Sequence, residues 1–243
     1  RLVGALVPGV PVSGRLAGEA NPDSVVITRS GDGHFAVRAS VDGVPTTING
    51  RSVPAGPVYL VYTSFVGGDN NVRSKILFSR STDCGATWSN PAKLSESVAR
   101  NQGTTIAVDP GTGDIHIAWR EFATPDSTGS RNAIQVARSS DGGKSFTKAE
   151  AIAPNGYQFL PFDQASSPLT FRTNAYPAMA IDGTGRAYVA WSERGFAALR
   201  SDPIDGDARI LVASTTDGRT FSTPVVADDQ MQAGHQLMPS LAF

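Results

Sequence analysis

An all-β fold of four-stranded antiparallel units, set side by side as the blades of a β-propeller, follows from three features of the 243-residue sequence. An acidic, glycine-containing turn occurs three times. Short runs of alternating apolar and polar residues precede and follow each turn. No stretch of useful length has apolar residues at helical spacing. Such repeats are the mark of radially arranged sheets.

Taken in order, residues 1–19 open with "RLVGALVPGVPV", apolar but broken by Pro8, Gly9 and Pro11. This stretch reads as a tail or linker and not as an intact signal peptide. Residues 20–98 form the first expected blade. In it "VYLVY" (58–62) and "KILFSR" lead to the turn "STDCGATW", with Ser81, Asp83, Gly85 and Trp88, and then to "PAKLSE".

Residues 99–154 form the second blade, running through "TTIAVDPGTGD", "IHIAW" (115–119) and "AIQVARS". Its turn is "SSDGGKSF", with Ser139, Asp141, Gly143 and Phe146, and "AEAIA" follows. Residues 155–172 are an aromatic-rich insertion. Residues 173–228 form the third blade: "PAMAIDGTGR", "AYVAW" (187–191), "RILVAS", the shorter turn "TTDGRTF" with Thr215, Asp217 and Phe221, and "PVVAD". Residues 236–243 look like the start of a further strand, so the chain is expected to be part of a longer protein.

The spacing is regular where a shared fold requires it. The last aromatic of the first run lies 21, 22 and 26 residues before the turn aspartate (Tyr62–Asp83, Trp119–Asp141, Trp191–Asp217). The turn is expected between the third and fourth strands of each blade. There the carboxylate accepts backbone N–H bonds, the Ser or Thr hydroxyl adds another, and glycine supplies positive φ. The aromatic residue should fold back onto its sheet. The third turn lacks one residue between Asp217 and Phe221 and should be tighter. These aspartates are therefore read as structural and not as catalytic groups.

Composition narrows the function classes. With 21 basic and 22 acidic residues and a net charge of -1, no basic stripe points to nucleic acid. No apolar run reaches membrane-spanning length. Cys84 is the sole cysteine, so an intrachain disulfide or thiolate metal cage is impossible. His34, His116 and His235 lack metal-ligand spacing, and His116, inside "IHIAW", reads as a satisfied strand histidine. "GTGDIH" and "GDGHFA" read as hairpin turns, since no helix follows to hold a phosphate. No metal or cofactor is implied.

The three turns resemble the Asp-box, or BNR repeat, of the sialidase-like β-propellers, over roughly residues 20–243. The resemblance implies a six-bladed ring, of which this chain holds about three blades and the start of a fourth. It also implies export, to a secreted, periplasmic or extracellular location. Sialidases bind a substrate carboxylate with three arginines, the first in a Phe/Tyr-Arg-Ile-Pro motif. Here "FRTNAYP" gives Phe171, Arg172 and Pro177, with four residues between Arg and Pro where the family has one. The family's acid/base aspartate falls in the loop that is "SDPIDGDARI" here, making Asp205 the nearest match and Asp207 the second. The family's tyrosine nucleophile and glutamate partner have no motif match, although Tyr157, Tyr176 and Glu193 are available.

Arg100 and Arg172 precede equivalent inner strands, and His235 precedes the next. These three could converge on the axial mouth, or cap strand ends and pair with neighbouring carboxylates. In the insertion, Tyr157, Phe159, Phe162 and Asp163 could form a lid, a docking surface, or a cover over an apolar edge. Two functions are carried forward. One is a glycoside hydrolase acting on sialylated or other acidic glycans, with Arg172 gripping the carboxylate and Asp205 as acid/base. The other is a non-catalytic propeller that binds a glycan, or binds protein partners through the 155–172 loop or an open propeller edge, or serves as a subunit of a larger assembly.

Overall fold

A computed structural model describes residues 57–67, 73–82, 85–96, 99–123, 132–152, 174–194, 207–227 and 234–243, together with the backbones of five earlier strands. Those strands are Val12–Arg15 (β1), Ser24–Arg29 (β2), Phe35–Ala39 (β3), Thr46–Ile48 (β4) and Arg51–Val53 (β5). The strands β1–β2–β3 form one antiparallel sheet and β4–β5 a hairpin. Three further sheets follow. The first is β6 (Val58–Val66), β7 (Arg73–Ser81) and β8 (Ala92–Lys93). The second is β9 (Arg100–Val108), β10 (Ile115–Phe122), β11 (Ala133–Ser139) and β12 (Glu150–Ala151). The third is β13 (Ala178–Ile181), β14 (Ala187–Glu193), β15 (Arg209–Thr215) and β16 (Val225–Val226). No helix occurs among the described residues, and none is therefore long and apolar enough to cross a membrane, which does not bear on β-barrels.

The second and third sheets are meanders in which each strand pairs with its neighbour in sequence. That is the order of a propeller blade. Among the described residues the β6–β7–β8 sheet has three strands where four were expected, and the strands upstream of it pair with one another. Residues 236–243 form no strand. Gln236 N–H donates to Ala208 C=O at 2.9 Å, and the Phe243 ring lies 4.9 Å from that of Tyr188.

The chain divides into two compact units: Arg1–Leu60 with Phe78–Ala92, and Val61–Leu77 with Lys93–Phe243. The second and third sheets both lie in the latter unit, which holds the main core. Side chains alternate across a strand. One face of the second sheet presents Ala118, Ile134 and Val136 to Met179, Val189, Trp191, Leu211 and Ala213 of the third. Trp191 and Leu211 have no exposed surface, and burial of each such side chain stabilises the fold by roughly 1.5–3 kcal/mol.

The turns lie where the sequence reading put them, after β11 and after β15. In the second, Asp141 Oδ1 accepts from Lys144 N and Ser145 N, both at 2.9 Å, and from Ser139 Oγ at 2.8 Å. Ser139 Oγ accepts from Gly143 N at 2.8 Å. In the third, Asp217 Oδ1 accepts from Arg219 N and Thr220 N, both at 2.8 Å, and Thr215 Oγ1 accepts from Gly218 N at 2.9 Å. One residue shorter, this turn closes its hydroxyl bond over three residues where the second spans four. In the first turn Ser81 Oγ accepts from Gly85 N at 2.7 Å, while Asp83 lies outside the described residues. Phe146 and Phe221 are half-buried, and Phe221 packs on the core. Trp88 departs from expectation at 37% exposed.

Candidate functional site

Antiparallel meanders put alternate connections at opposite ends of a sheet. The acidic turns share one end with the β9–β10 and β13–β14 hairpins. The other end collects the start of β9, the end of β10, the lead into β13, the end of β14 and the start of β15. Six buried ionisable side chains mark this second end: Arg120, Glu121, Glu193, Arg194, Asp207 and Arg209. Charges are seldom buried unless paired, so their concentration there is a signal.

Arg120 projects from β10 on the face that meets the third sheet. Its guanidinium donates to Asn174 C=O at 2.8 Å and stands 4.3 Å from the Phe122 ring centroid. Burial pulls its pKa down to about 9, with Tyr176 and Glu193 acting in the opposite direction, so it is cationic at neutral pH. Glu193 accepts the Trp191 indole N–H at 2.7 Å. Tyr176 donates its hydroxyl to Gln102 Oε1 at 2.7 Å. The Tyr176 ring lies over Gly103, where a Cβ would collide with it. Gly103 has φ +67° at an irregularity in the β9–β10 register, between the pairs Ala118–Thr105 and Arg120–Gln102. Ala175, between Asn174 and Tyr176, is buried with φ 48°, a strained conformation for alanine.

Around the start of β15, Asp207 has no exposed surface, and its Oδ2 accepts from Gly234 N at 2.8 Å. Arg209 donates to Gly234 C=O at 2.7 Å, and His235 Nδ1 accepts from Ala208 N at 3.0 Å. These bonds clamp residues 234–236 against β15.

The predicted site residues fall into three groups. Arg100 stands at the start of β9, exposed, and its side chain makes no hydrogen bond or ion pair among the described residues. Asp207 and His235 reach the same end but are engaged in holding backbone. Asp207 has no exposed surface, and its Oδ2 is taken up by the Gly234 N–H. Arg172, Tyr157, Asp163 and Asp205 lie outside the described residues. His116 also differs from its reading. It is buried, yet its Nδ1 has no hydrogen-bond partner among the described residues. Its ring instead packs against Gly218, where an added Cβ would sit 2.7 Å from His116 Cε1.

Sequence reading missed Arg120, Glu121, Gln135 and Arg209. A usable signal was the recurrence of Trp-x-Glu in Trp119–Glu121 and Trp191–Glu193, which sets an acid at one offset in two otherwise apolar strands.

Among the described residues no group of three or more His, Cys, Asp or Glu could hold a metal ion. No family model and no curated protein matches the chain. Solved structures do. The chain is similar to a Hadza microbial sialidase at 16% identity and TM-score 0.47, covering 83% of this chain and 43% of that one. It is similar to a protein of unknown function from Dyadobacter fermentans at 18% identity and TM-score 0.44, covering 85% and 60%. It is also similar to an ulvan lyase of polysaccharide lyase family PL25 at 12% identity and TM-score 0.43, covering 89% and 55%. The chain thus spans less than two thirds of the length of each of these three.

Proposed function

We propose that this chain is part of a sialidase-like, six-bladed β-propeller that binds an acidic glycan at the end of the sheets opposite the acidic turns. The observation that carries this reading is the separation of the two ends. Turn carboxylates are saturated by local donors at one end, while Arg100, Arg120, Arg194 and Arg209 collect at the other and Arg100 is exposed there. A planar guanidinium pairs bidentately with a carboxylate. Arg100 and Arg172 are the proposed carboxylate ligands, with Tyr157 and Asp163 at the rim. The Asp-box motif supports the ring and an exported location.

Binding without turnover is the form of this proposal that the site favours. Asp207 and His235 are engaged in holding backbone, leaving Asp205 as the proposed acid/base if the complete protein is a hydrolase. The complete protein should be assayed with a fluorogenic sialoside and titrated with sialyllactose, using Arg100→Ala, Arg172→Ala and Asp205→Asn variants. Sialyllactose binding that both arginine variants weaken, with no turnover, is the expected result. Turnover that Asp205→Asn lowers about 10²–10⁴-fold would establish the hydrolase. Neither binding nor turnover would retire the acidic-glycan reading and leave a protein-binding propeller.

A further inference from the structure

His116 and Arg138 stand directly opposite each other on β10 and β11, so their side chains share one face of the second sheet. That face packs on the third sheet, and at the turn end both side chains rest against Gly218. A Cβ there would lie 2.5 Å from Arg138 Cδ and 2.7 Å from His116 Cε1. Arg138 links the two sheets. Its Nε donates to Asp114 Oδ2 at 3.1 Å, and its Nη1 donates to the Asp217 C=O of the third acidic turn at 3.1 Å.

His116 has no such link. It is 4% exposed, and its Nδ1 has no hydrogen-bond partner among the described residues. The charged groups acting on it are Arg138 across the strands, Asp114 two residues earlier, and Asp109 in the β9–β10 hairpin. Both carboxylates are already engaged. Asp114 is paired with Arg138, and Asp109 accepts from Gly111 N at 2.8 Å and from the Thr112 hydroxyl at 2.9 Å. On the side of the third sheet, the Asp217 carboxylate accepts from Arg219 N and Thr220 N of its own turn. A neutral imidazole fits this setting. An imidazolium does not, because it sets a second cation directly opposite Arg138 in a place poor in water. Burial, then Arg138, accordingly lowers the His116 pKa from 6.5, and Asp114 and Asp109 only oppose this.

We propose that His116 is a proton-operated latch at the turn end of the seam between the second and third sheets. When it takes up a proton, Arg138 swings away and the third acidic turn loses its bond to the second sheet. Arg138 is the partner that leaves, because its side chain is long and 26% exposed whereas His116 is enclosed. The released state binds one more proton than the latched state, so it gains population as pH falls below the ordinary histidine value. This inference does not rest on the acidic-glycan reading, which concerns the opposite end of the sheets.

Hydrogen exchange of the complete protein from about pH 7.5 to about pH 4.5, on either side of the ordinary histidine value, tests it. Protection factors remove the intrinsic pH dependence of exchange. For Gly218, Arg219 and Thr220 they should fall about tenfold or more, tenfold being one pKa unit between the latched and released states. The second turn is the internal control: Lys144 N and Ser145 N donate to Asp141 within their own turn, and their protection should hold. His116→Gln should keep the third turn protected across the whole range. Arg138→Gln should leave it loosened throughout, since the bond to Asp217 C=O is then absent at every pH, and this variant reads the link even where His116→Gln folds poorly. Equal loss in the two turns, no loss in either, a response that survives His116→Gln, or full protection in Arg138→Gln would overturn the latch.

Discussion

The two ends of the second and third sheets solve opposite problems with the same kinds of residue. At the turn end, Asp109, Asp141, Asp182 and Asp217 are bonded to donors two to six residues away. Asp182 is typical: Oδ1 accepts from the Thr184 hydroxyl, Thr184 N and Arg186 N, and Oδ2 from the Tyr188 hydroxyl. The Thr184 hydroxyl leads in holding its pKa at about 2. At the opposite end, polar groups reach across the chain. Arg120 bonds Asn174, Arg209 bonds Gly234, and Tyr176 bonds Gln102, with 54, 25 and 74 residues between partners. Local saturation makes a rigid staple. Long-range pairing of buried charges makes a surface whose chemistry depends on how neighbouring sheets meet. One link crosses between sheets at the turn end: Arg138, paired with Asp114, donates to Asp217 C=O at 3.1 Å.

The contrast can be broken most forcefully where both ends share a foundation. Trp191→Ala removes a fully buried indole from the core between the sheets and should destabilise by about 3–5 kcal/mol in chemical denaturation. Loss of that size should disorder the two ends together. A drop confined to one end, read by hydrogen exchange, would show that the ends are energetically separate.

Next in size are two glycine substitutions, one per end. Gly218→Ala and Gly103→Ala each place a Cβ at φ +67°, against His116 in one case and the Tyr176 ring in the other. Each should cost about 1–3 kcal/mol from backbone strain, with the steric conflict adding to it. Only Gly103→Ala should also weaken ligand binding at the arginine-rich end, since Tyr176 must move. Equal effects on binding would remove the functional distinction between the ends.

The smallest expected effect is on acid stability. Asp141 is held below its ordinary 3.8 first by the Ser145 hydroxyl, and Asp217 first by the Arg219 backbone N–H. A carboxyl with a lowered native pKa binds fewer protons folded than unfolded, so its contribution is complete above about pH 4 and is lost as pH falls through the native value. His116 acts in the same direction at higher pH. Burial, then Arg138, lowers its pKa from 6.5, so stability declines as pH drops below that value. Thermal melts from pH 7 to pH 3 should therefore fall in two stages. His116→Gln should flatten the first stage and Asp141→Asn the second, and a variant with an unchanged profile would remove that group from the account.

Most of the turn end was legible beforehand because its bonds are local. Ser139, Asp141 and Gly143 announce their geometry by spacing alone, and so do Thr215, Asp217 and Gly218. The missing residue in the third turn translated directly into a shorter hydrogen-bonded loop. The arginine-rich end was legible only in part. Arg100 could be placed by analogy between repeats, but Arg120 sits in the middle of an apolar strand and gives no local sign that it reaches Asn174. Asp207 looked like a loop acid, and its engagement with Gly234 depends on a segment 27 residues away.

By itself, then, the sequence determined the all-β class, the order of strands in the second and third sheets, and the position of the acidic turns. Alternation and turn chemistry act over a few residues, so they can be read from the string. Which buried charges meet, which indole binds which carboxylate, and that His116 and Arg138 both rest on Gly218 were decided by tertiary structure. Those outcomes depend on which face of one sheet packs against which face of the next, and pairings across dozens of residues leave no periodic trace in the chain.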